Sequence, residues 1–237
     1  MKSGHNPMRF REAWRGIRAL MKDPDDTGQV FKIIRALSGN ADDRQFQRFL
    51  ASEHGPTILA ENRSLLDRLS DRAYLDSLPD GSLGRIYADF TDREQISPEG
   101  LVEASESVSD DGEPVDRERV LFGKRMRDSH DLWHIVTGYG RDLVGEAALL
   151  AFTYRQTRNR GIGFIVLVAY LRAGRVPPEP RRMIRDGYRR AKNASWLPSA
   201  DWEALLEEPL DAVRTTLGVI PVEAYSALRS EGAPSLA

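Results

Sequence analysis

Apolar residues recur at three- and four-residue spacing along most of the chain, and alternating runs rich in Val, Ile and Thr are scarce. A spacing of three and four residues places apolar side chains on one face of a helix, whereas alternation of apolar and polar residues is typical of strands. The clearest stripes contain Phe10, Trp14, Ile17 and Leu20; Val30, Ile33, Ile34 and Leu37; Phe46, Phe49 and Leu50; and Leu65, Leu66, Leu69 and Tyr74. Gly39, Pro79 and Gly81 interrupt the pattern, as helix breakers do. An all-α protein is therefore predicted.

The helical pattern continues through the second half of the chain. Further helices are predicted at residues 85–90, 119–137, 142–157 and 178–192, and from Pro209 to just before Gly218. Residues 162–171 are apolar on nearly every face, which predicts a central buried helix or a helix that lines a lipid cavity. Residues 103–116 are acidic and rich in turn formers, so we predict a long surface loop there.

Length and composition narrow the class of protein. A chain of 237 residues with 41% hydrophobic residues can bury one large core, so residues 1–237 are predicted to form a single domain. The net charge of −2 provides no positive excess to hold a nucleic-acid backbone, and nucleic acid is not expected as a partner. The longest apolar run, residues 162–171, is about half the roughly twenty residues needed to cross a bilayer as a helix. Because the N-terminus also lacks a secretory signal pattern, we expect a cytoplasmic protein.

Two of the four histidines lie four residues apart in the segment HDLWH. His130 and His134 bracket Asp131, and Glu146 follows twelve positions after His134. Residues four apart on a helix project from one face with Cβ atoms roughly 5–6 Å apart, so both imidazoles can converge on one ion. Because the chain has no cysteine, only imidazole and carboxylate groups could hold a metal. These four residues form a candidate metal site.

Glu146 can reach this site only if the helix stops before it. In a straight helix Glu146 would lie about 18 Å beyond His134, at 1.5 Å per residue. Gly138 and Gly140 lie between the two and can reverse the chain, since glycine is common just past a helix end. Packed helices lie roughly 8–10 Å apart, a gap that an imidazole and a glutamate can close around an ion. The spacing therefore predicts a metal site on an antiparallel helical hairpin.

Residue types alone leave the metal and its chemistry open. Two nitrogen ligands and one or two carboxylates suit zinc, but also non-haem iron (Fe2+) or manganese (Mn2+). Two histidines at this spacing also arise by chance on helices, as ordinary surface or capping residues. A metallohydrolase of the zincin type would need a continuous helix, which the glycines interrupt. A phosphohydrolase of the HD type would need an upstream histidine, for which His54 is the only plausible candidate.

At these residues the chain resembles the coenzyme Q (ubiquinone) biosynthesis protein family sometimes written Coq-four. The family signature is HDxxH, then eleven residues, then Glu, and residues 130–146 match it in type and spacing. Further similar segments are RMRDSHD, TGYG followed by GE, LPDGSLGRIYADF and WEALLEEPLDAVRTTLGVI. The resemblance covers roughly residues 27–222.

The resemblance implies a mostly helical fold, zinc bound by the four signature residues, and an apolar groove for a polyprenyl lipid. The implied reaction is a metal-dependent oxidative decarboxylation of a polyprenyl-hydroxybenzoate-derived precursor, in which a hydroxyl replaces the ring carboxylate at carbon one. We expect Asp131, Arg125 and Arg127 to be catalytic residues. The two arginines are candidates because a guanidinium matches a substrate carboxylate in a two-pronged geometry.

An alternative function is a non-catalytic scaffold that binds lipid and organises a coenzyme Q biosynthetic complex around a structural metal. A closed sphere of four ligands would favour the scaffold, whereas an open position facing a cavity would favour catalysis. The expected partners are the quinone-precursor lipid, other ubiquinone-biosynthesis proteins, a membrane surface and a second copy of the chain. The resemblance implies peripheral attachment to a membrane, and we expect the cytoplasmic face of the inner membrane. There the basic residues of 178–192 and of the first helix would meet anionic lipid.

Overall fold

A computed structural model describes residues 8–23, 26–97, 116–173 and 179–227 of the chain. These residues form fourteen α-helices, one short 3-10 helix at Leu197–Ser199, and no strand beyond an isolated bridge between Ser82 and Pro209. The all-α prediction is confirmed. The α-helices are α1 (Phe10–Leu20), α2 (Thr27–Leu37), α3 (Ala41–Leu50), α4 (Gly55–Ala60), α5 (Leu65–Ser70), α6 (Arg72–Ser77), α7 (Leu83–Glu94), α8 (Arg117–Asp128), α9 (His130–Thr137), α10 (Leu143–Thr157), α11 (Arg160–Arg172), α12 (Glu179–Arg190), α13 (Trp202–Leu205) and α14 (Leu210–Leu217).

Short polar side chains fix where many of these helices begin. In each case an oxygen of the preceding side chain accepts a hydrogen bond from a backbone N–H of the first turn, which otherwise has no partner within the helix. The capping residues are Asp26, Ser64, Asp71, Ser82, Asp116, Asp142, Asn159 and Asp201. Helices α9 and α14 end at Gly138 and Gly218, whose φ angles of 77° and 61° lie in the left-handed region that glycine adopts readily.

One predicted segment differs from the structure in its details. Residues 119–137 form two helices, because the chain tightens at Ser129, whose N–H bonds to the carbonyls of Arg125 and Arg127. The predicted loop at 103–116 lies outside the described residues apart from Asp116, which caps α8. Within the described part of the chain, every helix is too short or too polar to cross a bilayer.

The described residues divide into two compact units. The first comprises the described parts of Met1–Gln47, Gly140–Asn193 and Ala224–Ala233. Its helices approach one another closely at two glycines. A Cβ added to Gly161 in α11 would lie 2.5 Å from Cα of Ile34, and one added to Gly187 in α12 would lie 2.2 Å from the Ala148 carbonyl oxygen. A hydrophobic core of this unit contains Ala13, Ile17, Ile33, Ala36, Leu37 and Ile165.

Helix α11 is buried on one side only, unlike the central buried helix that its apolar sequence predicts. Ile162 and Ile165 are buried, whereas Leu167 and Leu171 are 52% and 62% exposed. The second predicted role for this helix, as the wall of a cavity, is consistent with this exposure. The sequence alone could not distinguish a buried helix from the wall of a cavity, because an apolar residue type does not show which neighbouring residues cover it.

Helix packing at Gly187 gives a stability prediction. Replacing Gly187 with alanine places a Cβ against backbone in α10, so α10 and α12 must separate, at a cost of about 1–3 kcal/mol or more. The matched control is Gly123→Ala in α8, where an added Cβ meets nothing within 4 Å and alanine favours the helix by up to about 1 kcal/mol. Urea unfolding should therefore show changes of opposite sign. Equal midpoints for the two variants would contradict the tight packing.

The second unit comprises the described parts of Arg48–Tyr139 and Ala194–Glu223. Its largest fully buried side chains include Trp202, Tyr87, Phe49 and Leu132. The carbonyls at the end of α9 have a side-chain partner: Arg214 donates to the oxygens of Ile135 and Val136 at 3.1 Å each. These bonds satisfy acceptors that a helix end leaves open, and they fix the end of the helix that carries both candidate histidines.

Candidate metal centre

Helix α9 carries three of the four predicted ligands in its first five residues. The ring centroids of His130 and His134 lie 4.7 Å apart in an edge-to-face arrangement, as expected for residues four apart on one helix. His134 is 1% exposed, and the ring of Phe90 stacks on it at 6.3 Å. Asp131 is also buried, and its Oδ1 lies 3.5 Å from Nδ1 of His130. The helix therefore holds both imidazoles on one face.

The backbone fixes the tautomer of His134. Its Nδ1 lies 2.9 Å from the carbonyl oxygen of Tyr139. A carbonyl can only accept a hydrogen bond, so Nδ1 carries a proton, and in the neutral ring Nε2 carries the lone pair that can bind a metal. The left-handed Gly138 turns the chain at the end of α9, and the Tyr139 carbonyl that follows faces the ring. A backbone carbonyl in this position is the usual orienting partner of a metal-binding histidine.

The helical conformation is interrupted between the histidines and Glu146. Helix α9 ends at Thr137, and α10 begins at Leu143 with Asp142 as its cap. A straight helix through residue 140, which would have ruled out the predicted site, is therefore absent from this part of the structure. Glu146 lies in the first turn of α10, where the helix dipole favours a negative charge.

His130, His134 and Glu146 form a group that could hold a metal ion. Each offers one ligand atom, and these atoms lie within 4.8 Å of one another. Bonds of about 2.0–2.2 Å from nitrogen and oxygen to zinc place two ligand atoms of one ion at most about 4.4 Å apart. Two nitrogens and a carboxylate are also a donor set that zinc, iron or manganese accepts. Among the described residues, neither Asp131 nor His54 belongs to this group.

The two predicted catalytic arginines form ion pairs within the chain. The guanidinium of Arg125 is buried and donates to both carboxylate oxygens of Glu203, at 2.6 Å each, and to the carbonyl of Ala200 at 2.9 Å. Arg127 donates through Nε to Asp128 at 2.7 Å. Burial raises the pKa of Asp128, and the hydrogen bond from Arg127 only partly offsets this. A role for either arginine toward a substrate remains a prediction.

A groove lies in the first unit, along α10, α11 and α12. Its volume is about 520 Å3. Apolar and aromatic side chains dominate its lining, which includes Tyr154, Leu167, Tyr170, Ile184 and Tyr188 together with Arg185 and Arg189. The hydroxyl of Tyr188 accepts hydrogen bonds from Arg155 and Arg158, which lower its pKa by favouring the phenolate. The sequence predicts an apolar wall at 162–171 but does not predict that these tyrosines line the groove.

A contact at the start of α10 could not be predicted from the sequence. The hydroxyl of Tyr225 lies 2.5 Å from Oδ2 of Asp142 and 2.9 Å from the backbone nitrogen of Gly140. Asp142 could be recognised as a helix cap from its place before an apolar segment. Tyr225 is 83 residues farther along the chain, and no local pattern connects the two.

The family model for Coenzyme Q (ubiquinone) biosynthesis protein Coq4 matches residues 13–223. The chain belongs to the Coq4 family. Its members are ubiquinone biosynthesis proteins, and the match begins upstream of the segment in which the resemblance was recognised. The resemblance identified from the HDxxH and Glu spacing is thereby confirmed.

Curated relatives of this Coq4 chain include mitochondrial ubiquinone biosynthesis proteins from three fungi. That of Talaromyces stipitatus is 32% identical over 175 residues, which cover 72% of this chain and 57% of the relative. Identity is 30% to the Aspergillus flavus protein, with 72% and 58% covered, and 29% to the Candida dubliniensis protein, with 73% and 52% covered. The chain thus spans little more than half the length of these relatives. A crystal structure of a candidate ubiquinone biosynthesis protein from Nostoc punctiforme shares the fold, with a TM-score of 0.60 at 20% identity, over 90% of this chain and 99% of that one.

Proposed function

We propose that this chain acts in ubiquinone biosynthesis as a metal-dependent enzyme. Its reaction would replace the ring carboxylate at carbon one of a polyprenyl-hydroxybenzoate-derived precursor with a hydroxyl. The observation that carries the proposal is the group of His130, His134 and Glu146, with ligand atoms within 4.8 Å of one another. Membership of the Coq4 family supports a role in ubiquinone biosynthesis, and the two imidazoles and the carboxylate support the binding of a metal ion.

The proposed site lies on an antiparallel hairpin of α9 and α10 within a single domain of residues 1–237. Zinc is the proposed ion, and Fe2+ or Mn2+ fit the same donors. Asp131 is the proposed fourth ligand, or it acts through His130, whose Nδ1 faces its carboxylate. The second arrangement resembles the carboxylate–histidine pairs that orient metal ligands in other proteins.

A metal bound here with an open position would supply Lewis acidity to a substrate oxygen. The chain itself would supply orientation, because His134 is held in one tautomer and Phe90 packs against its ring. Arg127 and Arg125 are proposed to pair with the substrate carboxylate, for which Arg125 would have to leave Glu203. Zinc has no redox chemistry, so with zinc the oxidising equivalents must come from dioxygen or another acceptor.

The groove in the first unit is the proposed site for the isoprenoid tail of the substrate. Burial of an apolar chain there would be favourable by about 25 cal/mol per Å2. Phe10 and Trp14 on α1 are 65% and 58% exposed, and Arg11 and Arg15 are exposed on the same helix. This surface supports a peripheral position on an anionic membrane, which we propose to be the cytoplasmic face of the inner membrane. Other ubiquinone-biosynthesis proteins and a second copy of the chain are the remaining proposed partners.

The groove also favours a second candidate function, a lipid-binding scaffold with a structural metal. A deletion-rescue experiment separates the two. Quinone intermediates are measured by mass spectrometry in bacteria that lack their own family member, with and without this chain. We expect the deleted strain to accumulate a ring that still bears its carboxylate, and expression of this chain to remove it. Accumulation of a different intermediate, or of none, would favour the scaffold.

A further inference from the structure

The C-terminal segment reaches the start of α10 through the side chain of Tyr225. Its hydroxyl donates to Oδ2 of Asp142 at 2.5 Å, and its oxygen accepts the N–H of Gly140 at 2.9 Å. Burial and the neighbouring Asp142 raise the pKa of Tyr225 above its usual value, because both disfavour a phenolate. The hydroxyl therefore keeps the proton that it donates.

The other oxygen of Asp142 holds the first turn of α10. Oδ1 accepts the N–H groups of Val144 at 3.0 Å and Gly145 at 3.3 Å, while the carboxylate as a whole is buried. The fit is tight, because a Cβ added to Gly145 would lie 2.4 Å from the Tyr225 hydroxyl and 2.1 Å from the Gly140 carbonyl oxygen. Tyr225, Gly140, Asp142, Val144 and Gly145 thus form one connected cluster, which we call the Tyr225 network.

Glu146 follows directly on this network. Its own N–H bonds to the carbonyl oxygen of Asp142 at 2.8 Å, so its backbone position depends on where the Asp142 turn is held. We propose that Tyr225 is a positioning residue for Glu146: it acts through Asp142 to hold the first turn of α10 where the glutamate can bind a metal. This inference rests on the proposed metal centre.

The segment around Tyr225 has anchors of its own. The N–H of Val222 bonds to the Thr137 carbonyl at 2.8 Å, and the N–H of Ser226 bonds to Oε1 of Glu179 at 3.1 Å. Loss of the hydroxyl alone should therefore leave the segment in place. Tyr225→Phe is accordingly a clean test, since it keeps the ring and removes only the two hydrogen bonds.

The test measures the affinity for Zn2+ and the amide exchange of residues 140–146 in the metal-free protein. We expect Tyr225→Phe to weaken Zn2+ binding by about tenfold, at the lower end of the effect of removing groups around metal ligands. The amides of Val144 and Gly145 should exchange faster. Tyr74→Phe is the matched control, because it removes a phenol that contacts Glu207 elsewhere and should leave both measurements unchanged.

A double-mutant cycle with Asp142→Asn tests the route through Asp142. The asparagine oxygen can still cap α10, and we expect the two substitutions together to weaken Zn2+ binding no more than the stronger one alone. Additive effects, or wild-type affinity in Tyr225→Phe, would overturn the positioning role. Equal Zn2+ affinity of the wild type and Glu146→Ala would instead reject the metal centre, and amide exchange would then still report whether Tyr225 holds the start of α10.

Discussion

Zinc binding is expected to fall by more than about 100-fold when His134 is replaced with alanine. Loss of a group that merely orients a ligand already weakens metal binding by about 10- to 100-fold, and this change removes a proposed ligand itself. The affinity is measured by competition with a chromophoric chelator. Zinc should also raise the thermal midpoint of the wild type and not of the variant, because a ligand that binds only the folded state stabilises it.

The same loss is expected for Glu146→Gln, which keeps the shape of the side chain and removes its charge. His54→Ala is the matched control for His134→Ala, since it removes a histidine of the same unit as His134 that lies outside the metal-capable group. Both ligand variants should fail to rescue ubiquinone synthesis in the deletion strain, and His54→Ala should rescue it. Full zinc affinity together with full rescue by His134→Ala would show that the proposed metal centre has no part in the function.

The candidate ligands could be predicted from sequence because their arrangement depends on local chain geometry. Spacing of four places His130 and His134 on one face of any helix, and the glycines after Thr137 mark where that helix must end. The left-handed Gly138 and the cap at Asp142 are local features of the same kind. Several other helices also followed from the apolar spacing, whereas the short helices α4 and α13 were not predicted.

Contacts between distant parts of the chain could not be predicted in this way. Tyr225 reaches Asp142 across 83 residues, and Arg125 reaches Glu203 across 78. From the sequence, Arg125 is expected to pair with a substrate carboxylate, since a guanidinium near a metal motif has the right chemistry for it. The same chemistry suits a carboxylate of the protein, and only the fold decides which carboxylate is near. The exposure of an apolar residue is equally hard to predict from the sequence. Leu167 is 52% exposed because its neighbours in the fold cover only part of it.

Arg125→Met is expected to destabilise the protein by about 3–5 kcal/mol, because it leaves the carboxylate of Glu203 largely buried without its partner. Replacing both residues, as Arg125→Met with Glu203→Leu, removes the unpaired charge and should recover most of that loss. Urea unfolding measures both values. Arg72→Met is the control, since Arg72 pairs with Asp76 and Asp92 at the surface and its loss should leave the midpoint near that of the wild type.

The double variant also separates the two roles proposed for Arg125. If its guanidinium only pairs with Glu203, a protein of restored stability should rescue ubiquinone synthesis in the deletion strain. If the guanidinium also contacts the substrate carboxylate, the same stable protein should fail to rescue while it retains its zinc affinity. A single variant cannot make this distinction, because unfolding and loss of a substrate contact both abolish rescue. Additive losses of stability in the two single variants and the double variant would contradict the ion pair itself.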